Sequence, residues 1–324
     1  AASQSSSRRS WLAVGVELVA GAPSIANAGV TIDIAKYGDK ELKVATINKI
    51  KQLLRNELLQ NPKQAPDWLK LAIVDALAFN SITGEGGPDA SVQFDVANMK
   101  LTSAKPIIDK LKDIQTQVQR TTEVSLADLI AYAGAEAIEA SGGPRIQVQV
   151  GRYDATKPVG GAQPHLDFYD GLDGAALTKA FDTSGLSPKD MALMVGAIVG
   201  VEKAAQLAAG GGATAKKGSG GGGDEDDDDM FPEDGGIFIP QTFGSQKAMF
   251  GDLLTKEPFD QTVFSTALNG KAGKCGMLLG SGEVADEAKK YASGKRELYI
   301  KDLTDSYMRV SSNGCNLTGA KVLQ

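Results

Sequence analysis

The chain has 324 residues, 42% of them hydrophobic and 23% charged, and a formal net charge of -6. That length is ample for one large domain or two packed halves around a hydrophobic core. The acidic balance excludes a nucleic-acid partner gripped through its phosphates. A lone histidine, His165, excludes His-rich metal sites and weighs against a nucleophile–His triad; two cysteines allow no zinc ribbon and one internal disulfide at most.

Residues 1–28 read as an address. An acid-free, Ser-rich start precedes Arg8 and Arg9, an apolar stretch from Trp11 to Gly21, and small residues at Ala26 and Ala28. Charged, apolar and A-x-A segments in that order predict a cleavable export signal, and the arginine pair favours the twin-arginine route. The lack of an initiator Met adds the expectation of a transit segment upstream. The apolar run is too short to span a bilayer and holds Glu17, and no later segment reads as a membrane span. A soluble mature chain over residues 29–324 is expected.

Downstream, apolar residues recur at helical period. Leu42–Leu59 puts Val44, Ile47, Ile50, Leu53, Leu54 and Leu58 on one face. A helix is expected from about Ala65 to Phe79, with Pro66 in its first turn. Ser103 is placed to cap a third, through Ile107, Ile108, Leu111 and Ile114. Ser125 starts a fourth, with Asp128 three residues on as in a capping box, and Gly142-Gly143-Pro144 ends it. Asp190–Leu207 reads as an Ala-rich helix, and later ones are expected near Gln246–Leu254, Glu257–Leu268, Glu283–Ala292 and Arg296–Ser311. The one short strand candidate is IQVQV (Ile146–Val150), so the fold class is all-α. Between residues 209 and 236, glycines and the acidic run Asp224–Asp229 predict a flexible loop. Its carboxylates lack the spacing of a calcium cage.

Three stretches then carry a family pattern: APDWLKLAIVDALAFNSITGEGGPDASVQF (Ala65–Phe94), ADLIAYAGAEAIEASGGPRIQVQVGRYDA (Ala127–Ala155) and LSPKDMALMVGAIVG (Leu186–Gly200). They resemble motifs of the class I haem peroxidases, the ascorbate peroxidase group, and Gly282–Gly314 follows that family's last helices. The resemblance runs from about Leu42 to Gly314. It implies a haem-peroxidase-like fold of two helical halves, distal over about residues 41–155 and proximal over about 156–324. In working members these halves clamp haem between them.

Carried over residue by residue, the resemblance implies that the chemistry is gone. Lys70, Ile73 and Val74 stand where the family has the distal arginine, tryptophan and histidine that split peroxide. Ile198 stands at the iron-ligating histidine, and Gly244 near the aspartate that orients it. Phe238 is the aromatic nearest to the proximal tryptophan position, and Leu207 falls near the arginine that holds ascorbate. Lysine keeps a charge without the planar fork, and neither valine nor isoleucine can carry a proton or bind iron. No catalytic residue, no bound haem and no metal are therefore expected, with a partly collapsed, dry cleft between the halves. His165 is expected to be structural. Asp128, Gly142, Gly143, Pro144, Gly151 and Arg152, which keep the family pattern, are expected to serve the fold. In an exported protein Cys275 and Cys315 would close a disulfide worth about 4 kcal/mol, with two buried thiols as the alternative.

A preserved body, a lost site and an export signal together resemble the non-catalytic, ascorbate-peroxidase-like branch of the chloroplast thylakoid lumen. That resemblance implies an auxiliary protein binding photosystem II subunits on the lumenal side. Two alternatives stay open. One is a binder of ascorbate or another small molecule in the residual cleft. The other is a residual L-ascorbate peroxidase-type oxidoreductase relying on Lys70 and His165.

Overall fold

The computed structural model describes residues 40–97, 102–119, 124–158, 174–210, 253–255, 257–270, 277–280, 282–315 and 317. The expected leader, His165, nearly all of the 209–236 loop, Phe238, Gly244 and Cys275 lie outside these residues.

The described residues are built from helices. In chain order these are α1 (Lys40–Gln60), α2 (Ala65–Leu77), α3 (Val92–Ala97), α4 (Lys105–Gln119) and α5 (Leu126–Ala140). They are followed by α6 (Gly174–Thr183), α7 (Pro188–Gly210), α8 (Thr262–Leu268), α9 (Gly282–Ala292) and α10 (Arg296–Ser311). One hydrophobic core runs through all of it, from Ile50 of α1 to Val310 of α10. α2, α5 and α7 lie at its centre, with α2 packed directly on both α5 and α7. α7 is long and apolar enough by composition to cross a membrane, yet most of it is buried inside the protein, as in a core helix.

Local chemistry explains the boundaries. Ser125 adopts an extended backbone, and its side chain accepts the Asp128 N–H at 3.0 Å, opening α5. At the other end Gly142 takes φ +88°, a conformation that favours glycine, and the Gly143 N–H returns to Ile138 O at 2.9 Å. α5 must also lie close to its neighbours. A Cβ on Gly134 would sit 2.6 Å from Ala72 Cβ of α2 and closer still to the Tyr307 hydroxyl of α10.

Four local expectations need correction. Ser103 lies inside a 3-10 turn (Thr102–Ala104) and α4 begins after it. The helix expected from Glu257 begins only at Thr262, after Pro258 and an Asp260 carboxylate that accepts the Thr262 N–H at 3.0 Å. Leu253–Thr255, at the end of the helix expected from Gln246, is not helical. IQVQV forms no strand. It has the alternation but, among the described residues, no neighbouring strand, and side chains take two of its carbonyls: the Tyr132 hydroxyl donates to Val148 O at 3.0 Å, and Arg152 donates to Gln149 O.

Candidate functional site

The residues expected at the cleft meet at the contact of α2 with α7. Lys70 on α2 places Nζ 3.2 Å from Glu202 Oε1 on α7 and 3.8 Å from Asp67 Oδ1. Helical spacing puts Ile73 and Val74 one turn further along the same face of α2, and Ile198 one turn before Glu202 on the face of α7 that meets it. All three are sealed in the core, at 1%, 0% and 0% exposure. At this contact, branched side chains of both helices belong to one buried core.

These residues do not fit a haem. Helices in direct contact run about 8–10 Å apart, a gap filled by their own side chains. No imidazole stands at Val74 or Ile198 to face an iron. The opposite face of α7 is filled as well. A Cβ on Gly196 would meet the Phe264 ring at 2.6 Å, and one on Gly200 would meet Phe259 at 2.6 Å. Around those rings Phe264, Tyr291 and Tyr299 pack with centroids 5.2–6.1 Å apart, and Phe259 stacks on Tyr299 at 6.2 Å. Leu207 is part-exposed on the last turns of α7, lining a shallow groove with Gly200, Ala204 and Phe259. The charges on that groove's rim, Lys203 and Glu257, pair with each other at 2.8 Å.

Of the motif residues expected to serve the fold, Asp128, Gly151 and Arg152 form a hydrogen-bonded lattice. Arg152 is 2% exposed; its NH1 donates to Asp128 Oδ1 at 2.8 Å, while Nε and NH2 donate to Ser311 O at 2.9 and 2.5 Å. One side chain thereby ties α5 to the end of α10. Asp128 does not complete a capping box. Its carboxylate is used by the Gly151 N–H at 2.9 Å and by Arg152. The cap is completed by Asp154, which accepts the N–H groups of Leu126 and Ala127 at 2.9 and 2.8 Å.

Two further networks escaped sequence reasoning. Asp190 closes a true capping box with Ser187 and also accepts from Ser306 Oγ at 2.8 Å and Arg309 NH1 at 2.8 Å. The L-S-x-x-D spacing could have signalled the box, but not the partners on α10. Between α1 and α5, Lys51 meets Glu139 at 2.7 Å and Arg55 meets Glu136 at 2.5 Å. Burial raises the Glu136 carboxyl, against the pull of Arg55. Cys315 is a free thiol with Sγ 3.9 Å from Pro88 O, and burial pushes it up to about 11; its expected partner Cys275 lies outside the described residues.

Comparison with known proteins gives this geometry its context. A rice (Oryza sativa subsp. japonica) protein named probable L-ascorbate peroxidase 3, peroxisomal, is 32% identical over 157 residues, 47% of this chain and 51% of the relative. The thylakoid lumenal 29 kDa protein, chloroplastic, of Arabidopsis thaliana is 30% identical over 132 residues, 39% of this chain and 37% of the relative. The chain thus spans about half the length, or less, of these curated relatives. A crystal structure of the TL29 protein from Arabidopsis thaliana covers 87% of this chain and 96% of its own, at 17% identity and a TM-score of 0.48. The peroxidase family pattern matches residues 48–217, just over half of the 324 residues, and the chain belongs to the peroxidase family.

Proposed function

We propose that this chain is a non-catalytic member of its family, a lumenal auxiliary protein that works by binding photosystem II rather than by turnover. The observation that carries the reading is the direct α2–α7 contact, with Ile73, Val74 and Ile198 buried at the haem and catalytic positions and Lys70 paired with Glu202. Peroxide cleavage needs a proton carrier and a charge stabiliser beside a bound oxidant. Here the carrier position is valine, and the Lys70 ammonium is held by Glu202 and Asp67.

The location rests on two supports, the twin-arginine-like leader in the sequence and the relatives named thylakoid lumenal 29 kDa protein from Arabidopsis thaliana and Solanum lycopersicum. The partner rests on the resemblance to the non-catalytic lumenal branch. Immobilised protein incubated with solubilised thylakoids tests both function and partner. Recovery of photosystem II subunits above a denatured-protein control is expected, and their absence overturns the partner. Turnover of peroxide with ascorbate by the purified chain overturns the loss of catalysis.

A further inference from the structure

Residues 143–155 pass back along α5 with neither helix, turn nor bend. The Gly143 N–H bonds to Ile138 O near the end of α5, the Tyr132 hydroxyl donates to Val148 O, and the Gly151 N–H donates to Asp128 near the start of α5. Exposure alternates within this stretch: Ile146 and Val148 are 1% and 7% exposed, and Gln147 between them is exposed. Among the described residues, no N–H group from Ile146 to Val150 donates a hydrogen bond. Backbone donors of buried residues are nearly always paired, so an extended stretch with idle donors is an open edge for a strand.

The placement of α1 indicates what fills that edge. Lys51 meets Glu139 and Arg55 meets Glu136, so α1 lies antiparallel to α5 and starts beside the end of α5, where residues 143–146 begin. Tyr132 and Glu136 stand one turn apart on α5, which puts Val148 and α1 on the same side of that helix. The chain that leads into α1 reads Val30-Thr31-Ile32-Asp33-Ile34, followed by five residues, 35–39. Its apolar residues recur with the same period of 2 as the buried residues of the open edge. Five residues span at most about 17 Å, room for a connection into α1. We propose that residues 30–34 add to residues 146–150 as an antiparallel strand, so that the chain covers this edge with its own N-terminal segment. The direction follows from α1, since the entering chain heads for the end of α5 that residues 143–150 leave. Pairing Ile32 with Val148 turns Val30, Ile32 and Ile34 to the buried face, and a slip of one residue would turn them to solvent. Asp33 then stands opposite Gln147 on the outer face. The inference is independent of the photosystem II reading.

Amide hydrogen exchange of the full chain tests it, with the amides of α5 reporting that the body is folded. Alternate amides of residues 146–150 are expected to be protected in the wild type. Ile32→Asp, which puts a charge on the buried face, is expected to abolish that protection, and Thr31→Asp on the outer face to keep it. Fast exchange at residues 146–150 in the wild type, or equal protection in Ile32→Asp, overturns the inference. A second copy of the chain is the competing occupant. With Cys275→Ser and Cys315→Ser as background, oxidation of Asp33→Cys/Gln147→Cys is expected to cross-link within one chain, because opposed residues of such a pair lie within disulfide reach. A cross-link that joins two chains assigns the strand to the second copy and overturns the inference.

Discussion

Replacing Arg152 with methionine tests the lattice that joins α5 to the end of α10. The guanidinium leaves three sets of partners behind: the Asp128 carboxylate, 1% exposed; the Ser311 carbonyl, which loses two donors; and Gln149 O. Methionine matches much of the side-chain length, so packing is largely kept and the loss is electrostatic. Removing one partner of a buried ion pair costs about 3–5 kcal/mol, because the remaining charge stays buried. Asp128 keeps the Gly151 and Arg152 backbone N–H groups at 2.9 and 3.2 Å, which places the expected cost at about 3 kcal/mol, toward the lower end of that range. Equilibrium urea unfolding at neutral pH measures it. Arg152→Lys, which keeps the charge without the fork, should fall between the wild type and Arg152→Met. In Asp128→Asn/Arg152→Met the second change should cost less than it does alone, since the stranded charge is gone. A cost below about 1 kcal/mol for Arg152→Met, or strict additivity in the double variant, refutes the reasoning.

Three other outcomes follow from the packing. Gly134→Ala should destabilise by about 1–3 kcal/mol, because its Cβ would collide with Ala72 and the Tyr307 hydroxyl; a thermal melt unchanged from wild type contradicts the close α2–α5–α10 approach. Ile198→Ala should cost about 2–5 kcal/mol by opening a cavity in a fully buried site, again read by urea unfolding. The pair Val74→His/Ile198→His should lower stability and still fail to take up haem, since α2 and α7 are in direct contact. A haem band in that variant's visible spectrum contradicts the closed contact.

Sequence reading found what is local. The limits of α10 follow from its own pattern, and the opening of α5 is set by Ser125 three residues before the N–H it accepts. α6 was missed although Leu177, Ala180 and Phe181 have helical spacing and are buried, because glycines and polar residues dilute so short an apolar pattern. IQVQV misled because alternation is a property of five residues whereas a strand requires a neighbour. At the site, the resemblance located Lys70, Ile73, Val74 and Ile198 as replaced positions. Lys70 pairs with Glu202, however, and Asp128 turns to Arg152; both partnerships depend on how distant segments pack.

The proposed loss of catalysis requires that this chain bind no haem between α2 and α7. The visible spectrum of the full chain, purified after expression with haem in excess, tests it most directly. A flat Soret region is expected, with no haem retained between α2 and α7. A stoichiometric Soret band would show a bound haem and overturn the proposed loss.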